Sequence, residues 1–155
     1  MISISAMLDP RRPIWQHVAL STLFGVLACF SLLSILNWIA PEILSSQAQV
    51  PDNFLLYTAK VLIIAPVIEN IVLSLYIELL RAYFDKTSAI ATICGLTFGL
   101  LHFISSPPLV VAGSIMFSMM ALSYMLFSHR SYFTRMSIIT AQHALFNLVG
   151  LLGFV

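Results

Sequence analysis

Five apolar runs divide this chain, and each approaches the length of a membrane-spanning helix. They cover residues 18–40, 54–80, 88–104, 109–128 and 136–155. A helix needs about 20 mostly apolar residues to cross a bilayer, and these runs lack the alternation that barrel strands require. In lipid, a helix forms all of its backbone hydrogen bonds within itself, whereas the edge of an open sheet leaves backbone groups without partners. The pattern predicts an all-α fold: a polytopic membrane helix bundle with about five transmembrane helices in one domain, residues 1–155.

The composition excludes most soluble classes of protein. Charged residues make up 8 % of the chain and hydrophobic residues 60 %, whereas soluble domains have about 25 % and about 45–50 %. So few charges cannot form the surface of a soluble enzyme or keep a chain disordered. A net charge of +1 gives little long-range attraction for nucleic acid. The predicted partner is the lipid bilayer, with no nucleic acid.

The basic residues fall on one side of the predicted bundle. Six of the seven precede the first segment or lie in the second and fourth connections, namely Arg11, Arg12, Arg81, Lys86, Arg130 and Arg135. Short connections rich in Lys and Arg stay in the cytoplasm. The distribution predicts an N-in, C-out topology.

Five of the polar residues within the apolar segments are candidates for a functional site. Glu69 and Asn70 are in the second segment, His102 is in the third, and His143 and Asn147 are in the fifth. An ionisable residue inside a membrane segment is costly unless it is paired or hydrated, so it is a candidate functional residue. His143 and Asn147 are one helical turn apart and share a face. With a rise of about 1.5 Å per residue, Glu69, both histidines and Asn147 reach similar depths, and we expect them to line one site.

These groups suit the hydrolysis of an amide bond. A carboxylate can take a proton from water, and a neutral imidazole can pass a proton to the leaving nitrogen. A second imidazole and a carboxamide can donate hydrogen bonds to a developing oxyanion, where scarce water strengthens them. The candidate catalytic residues are Glu69, His102, His143 and Asn147. Asn70 and Phe98 are candidates for supporting roles.

Three short motifs carry a family resemblance. They are PVIEN at Pro66–Asn70, FGLLH at Phe98–His102 and HALFN at His143–Asn147. Together and in this order they resemble the motifs of the CPBP family, which includes CAAX prenyl endopeptidases and bacterial Abi or bacteriocin-associated proteins. The family pattern reads P-x-x-E-E-x-x-x-R, then F-x-x-x-H, then H-x-x-x-N/D, on successive membrane helices. The resemblance covers about residues 65–150 of this sequence.

The resemblance implies a glutamate-type intramembrane endopeptidase in a bacterial inner (cytoplasmic) membrane. Glu69 matches the glutamate that activates water, and His102 matches the histidine that works with it. His143 and Asn147 match the pair assigned to the oxyanion. No cofactor is implied. The implied substrate is a membrane-associated or lipid-linked protein or peptide, and a prenylated CAAX substrate is not implied.

Two positions of the first motif depart from the family pattern. Asn70 replaces the usual second glutamate, and Ser74 replaces the usual arginine. The two changes fit together, because a buried arginine without its acid would be costly. They motivate a second hypothesis: a catalytically inactive membrane binding or immunity protein that keeps the fold.

Two further hypotheses remain open. Glu69, His102 and His143 offer three ligands of the types that hold catalytic zinc, although the sequence has no close His-x-x-x-His pair. A proton-coupled transporter would explain polar residues in membrane segments, but five helices leave little room for the usual paired halves.

Overall fold

The structure of the chain is a computed structural model that describes residues 11–40, 53–102 and 107–153. Of these residues, 88 % are helical and none is in a strand. The five helices are α1 Ile14–Ile39, α2 Phe54–Arg81, α3 Thr87–Leu101, α4 Pro107–Leu126 and α5 Tyr132–Gly153. The predicted all-α bundle is confirmed, and the predicted segments agree with the helices to within about four residues. Residues 103, 104, 154 and 155, which the predicted segments included, lie outside the described residues.

Three of the helices are long and apolar enough to cross a membrane. They are α1, α2 and the part of α4 from Pro108, while α3 is shorter. Large apolar side chains point away from the bundle, as Trp38 and Leu55 do with 85 % and 81 % of their surface exposed. Such extensive apolar exposure is rare on soluble proteins. The fold therefore indicates a membrane protein.

The beginning of α4 differs from the sequence prediction. The fourth predicted segment begins at residue 109, but Pro107 and Pro108 already belong to α4. Proline is tolerated in the first turn of a helix, because the N–H groups there have no partner within the helix. The two prolines therefore open a helix. Residues 105 and 106 lie outside the described residues.

Helix α2 contains a wide turn next to a proline. It is α-helical over Phe54–Ala59, π-helical over Lys60–Ile64 and α-helical again over Ala65–Arg81. The N–H of Ala65 donates to the carbonyl of Lys60, five residues back, and Pro66 has no N–H to offer. The carbonyl of Val61 therefore accepts no hydrogen bond from either expected donor. Ala65, the donor in an α-helix, bonds to Lys60, and Pro66, the donor in a π-helix, has no N–H.

Helix α4 forms the centre of the bundle. It packs against all four other helices, while α5 lies against α1, α2 and α4. The main core lies between α2, α3 and α4, around Leu73, Cys94, Phe117 and Tyr124, none of which is exposed. Helix α2 therefore lies on the opposite side of α4 and α5 from α1.

Small residues allow α3 and α4 to approach closely. Gly95 and Gly99 are four residues apart on α3, which is the spacing of close-packed membrane helices. A Cβ atom at Gly99 would lie 2.0 Å from the Oγ of Ser114 and 2.8 Å from both the nitrogen of Ser114 and the carbonyl oxygen of Val110. Because two of these atoms are backbone, the helices would have to separate. This contact fixes the end of α3, where His102 lies.

We expect Gly99→Ala to destabilise the protein by about 1–3 kcal/mol, the usual effect of overpacking a tight contact. The measurement is thermal unfolding of the purified protein in detergent. Gly150→Ala is the matched control, since a Cβ at Gly150 would meet nothing within 4 Å. Equal stability of the two variants would show that close packing of α3 on α4 is not needed.

Candidate functional site

Glu69 and His143 meet where α2 crosses α5. The Oε2 atom of Glu69 lies 3.7 Å from the Nε2 atom of His143. The His143 side chain is only 2 % exposed, and that of Glu69 is 33 % exposed. The distance is too long for a direct hydrogen bond. The two residues that the sequence placed at similar depth are thus brought together, and the carboxylate keeps an open side.

His102 lies at the end of α3, and its ring is held by its own helix. The last turn tightens, so the backbone N–H of His102 bonds to Gly99 and Leu100 rather than to Phe98. The Nδ1 atom of His102 lies 2.8 Å from the Phe98 carbonyl oxygen. Since a carbonyl can only accept, Nδ1 carries the proton. The Nε2 atom of the neutral ring is then left with its lone pair, free to act as a base.

The ring of Phe117 separates the two histidines. Its centroid lies 5.7 Å from that of His102 and 5.5 Å from that of His143. The Phe98 ring packs on Phe117 at 4.7 Å, which gives the predicted supporting residue a second contact with the site. Within the described residues, His102 makes no direct hydrogen bond to Glu69 or His143, but a protonated His102 would be near enough for its charge to act on both. Glu69, His102 and His143 therefore form one electrostatic site, in which the ring of Phe117 contacts both histidines.

Asn147 does not reach the other three residues directly. Its Nδ2 atom donates to the carbonyl oxygen of Val61 at 2.9 Å. This is the carbonyl that the π turn and Pro66 leave unpaired. One amide hydrogen of Asn147 forms this bond to α2, and the second amide hydrogen takes no part in it.

Asn70 and Ser74 stand where the CPBP pattern has a glutamate and an arginine. Both form hydrogen bonds to neutral side chains. The Nδ2 atom of Asn70 donates to Thr140 Oγ1 at 3.3 Å, and Ser74 Oγ lies 3.1 Å from the hydroxyl oxygen of Tyr132. Asn70 and Ser74 are fully buried. Both bonds connect α2 to α5. These residues therefore bind the helices that carry Glu69 and His143.

Polar contacts between α2 and α5 continue along both helices. We name this set the α2–α5 seam; it consists of Val61–Asn147, Glu69–His143, Asn70–Thr140, Ser74–Tyr132 and Glu78–Arg135. At the end of α2, Glu78 also accepts from Arg81, as expected for a charged pair near the boundary. In the first four pairs the residue numbers rise on α2 as they fall on α5, so the helices are antiparallel and Glu69 lies within the series.

The centre of the seam has unused hydrogen-bonding capacity. Glu69 Oε2 and His143 Nδ1 are buried atoms without a hydrogen-bond partner among the described residues. Buried polar atoms are normally satisfied by protein or by ordered water. A water molecule at hydrogen-bond distance from Glu69 Oε2 and His143 Nε2 would sit beside their 3.7 Å contact, with an angle of about 80° at its oxygen. The arrangement can thus bind and polarise one water molecule.

The zinc hypothesis gains no support from the geometry. Among residues 11–40, 53–102 and 107–153, no group of three or more His, Cys, Asp or Glu side chains is gathered closely enough to hold a metal ion. Glu69, His102 and His143 share a region without forming a set of ligands.

Sequence reasoning missed a second buried polar cluster on the far side of α5. His17 Nε2 lies 3.0 Å from Ser123 Oγ, and Gln142 Nε2 donates to Ser123 Oγ and to Ser21 Oγ. All four residues are buried. The sequence signal for this cluster was Gln142, a polar residue that directly precedes His143 in an apolar run. The cluster joins α1, α4 and α5 and so braces the helix that carries His143.

Comparison with known proteins gives no match: no protein-family model, no curated protein and no solved structure matches this chain. Membership of the CPBP family therefore stays a prediction that rests on the three motifs.

We expect a measurable coupling across the seam between Asn70 and Thr140. In a double-mutant cycle of Asn70→Leu and Thr140→Val, the interaction energy should be near 0.6 kcal/mol, about the average for hydrogen bonds between membrane helices. Unfolding of each variant in mixed micelles provides the free energies. The control cycle pairs Asn70→Leu with Ser137→Ala, because Ser137 is exposed and bonds its own helix at Phe133. Equal coupling in both cycles would contradict the assignment.

Proposed function

We propose that this protein is an intramembrane endopeptidase that hydrolyses a peptide bond of a membrane-associated or lipid-linked protein or peptide. The observation that carries the proposal is the 3.7 Å contact between Glu69 and His143 inside an apolar bundle. Ionisable groups at such positions are rare unless they have a function. The order of the three motifs, which resembles that of the CPBP family, supports the same reaction.

In the proposed mechanism, Glu69 acts as the general base. It takes a proton from a water molecule that also contacts His143, and the hydroxide attacks the carbonyl carbon of the scissile bond. The tetrahedral intermediate carries a negative oxygen, which N–H donors from His143 and the second amide hydrogen of Asn147 stabilise. The proton is then transferred from Glu69 to the leaving nitrogen as the C–N bond breaks. The Nε2 lone pair of His102 provides a nearby site for that proton.

The length of α3 supports access of water to this site. The 15 residues of Thr87–Leu101 extend over about 22 Å, while the hydrocarbon core is about 30 Å thick. If Thr87 lies at the cytoplasmic boundary, His102 lies below the outer surface. A helix that ends within the membrane needs partners for its last carbonyls, and the His102 ring supplies one to Phe98.

The proposed topology has five spans, with the N-terminus inside and the C-terminus outside, in a bacterial cytoplasmic membrane. Cysteines at Tyr83 and Ser128, both exposed, should then react with an impermeant maleimide only after the cells are opened. A cysteine at Asn53 should react in intact cells. Labelling of Asn53 and Tyr83 from the same side would contradict the arrangement.

A second candidate function is membrane binding or immunity without catalysis. The observation that favours it is the neutral bonding of Asn70 and Ser74, where the family pattern has a charged pair. On this alternative, the α2–α5 seam serves stability alone. A phenotype of the protein would then depend on the fold and not on the carboxylate of Glu69.

We expect Glu69→Gln to abolish proteolysis, because a carboxamide cannot take a proton from water. The loss should be at least about 100-fold, as general bases typically contribute. Comparing membrane proteomes of cells with the parent or the variant protein should reveal an uncleaved substrate that accumulates with the variant.

Asp85→Asn is the control for this experiment. It makes the same chemical change, from a carboxylate to a carboxamide, at an exposed residue that lies after α2 and outside the α2–α5 seam, and it should leave processing intact. Full processing by Glu69→Gln would remove the proposed mechanism. A phenotype that survives Glu69→Gln but not Gly99→Ala would favour the binding or immunity function.

A further inference from the structure

The carbonyl of Val61 has no hydrogen-bond donor within α2. Its possible helical donors are Ala65, which bonds to Lys60 instead, and Pro66, which has no N–H. An unpaired carbonyl inside an apolar bundle is strongly unfavourable. The Nδ2 atom of Asn147 supplies the missing donor at 2.9 Å.

The same segment has an alternative register with a different unpaired carbonyl. If the turn were α-helical, the N–H of Ala65 would bond to Val61, four residues back, and Pro66 would leave Leu62 without a donor. Neighbouring residues of a helix point in directions about 100° apart, so the carbonyl of Leu62 would not face Asn147. Only the π-helical register presents a free acceptor to Asn147.

We propose that Asn147 is a positioning residue that selects the π register of α2. It thereby fixes the rotation of the outer half of α2, residues 54–61, relative to the inner half that carries Glu69. The inner half is tied to α5 by Asn70, Ser74 and Glu78. Among the described residues, the outer half has one hydrogen bond to α5, from Asn147 to Val61. The proposal goes beyond hydrolysis and holds whether or not the chain is a protease.

The chemistry of the side chain fits this role. The position needs a hydrogen-bond donor, because its partner is a carbonyl, and it needs no charge. Asn147 is one turn beyond His143 on α5, so the residue that fixes the outer half of α2 is adjacent to the residue that contacts Glu69. The register of α2 and the geometry of the site are therefore set by neighbouring turns of one helix.

Deletion of Ile64 should make the backbone register of α2 independent of Asn147. A π turn holds one residue more than the α-helix around it. Without Ile64, Val61 becomes the fourth residue before Pro66, so a continuous α-helix leaves the same carbonyl unpaired on the same side. Ile64 is an exposed side chain. In this background the rotation of the outer half no longer depends on Asn147.

The experiment compares four chains: the parent, Asn147→Leu, the Ile64 deletion, and the deletion combined with Asn147→Leu. A nitroxide on Thr58→Cys reports the outer half, because Thr58 Oγ1 is buried. A nitroxide on Leu75→Cys, at an exposed position, is the control in the inner half. The buried Cys29 and Cys94 are replaced by Ala, and collisions with oxygen are measured in lipid vesicles.

We expect Asn147→Leu to raise the oxygen collision rate at position 58 and to leave position 75 unchanged. In the deletion background, Asn147→Leu should leave both positions unchanged. An unchanged position 58 in the full-length variant, or an equal rise in both backgrounds, overturns the proposal. If full-length Asn147→Leu fails to fold, folding of the combined variant supports the proposal and its failure to fold overturns it. No readout depends on proteolysis, so the two proposals fail separately.

Discussion

The contact between Glu69 and His143 depends on a seam of hydrogen bonds that holds α2 against α5. Within a membrane, helices gain little from burying apolar surface against each other, because lipid is equally apolar. Packing and polar bonds must provide the association. Asn70–Thr140 and Ser74–Tyr132 lie on the side of the Glu69–His143 contact toward the C-terminal end of α2, and Val61–Asn147 lies on the side toward its N-terminal end. The carboxylate is therefore held between two points of attachment.

A different interaction places His102. Among the described residues, α3 has no polar seam of this kind with α4; it lies close because Gly95 and Gly99 face Ser114 and Ser118. Gly113 completes the fit, since a Cβ there would lie 3.4 Å from the His102 ring. The site thus combines a residue fixed by close backbone packing with two residues fixed by side-chain bonds. Phe117 on α4 contacts both histidines and connects these two arrangements.

The sequence was sufficient to predict the helices and the meeting of Glu69 with His143. Long apolar runs determine the helices, and the constant rise of a helix determines depth, so two polar residues at one level could be expected to approach. The partner of Asn147 could not be predicted, because the carbonyl of Val61 becomes free only in a π turn. His17 was equally inaccessible to sequence reasoning, since its partner Ser123 is 106 residues away.

The neutral residues at positions 70 and 74 change the charge balance of the site. An arginine near a buried carboxylate would help to keep it ionised. Here Asn70 and Ser74 bond to Thr140 and Tyr132, so they contribute no charge near Glu69. The imidazole of His143 lies 3.7 Å from the carboxylate of Glu69, and His102 is near enough for a charge on its ring to act on that carboxylate. Any reaction at this site must therefore distribute its protons among Glu69, His102, His143, water and the substrate.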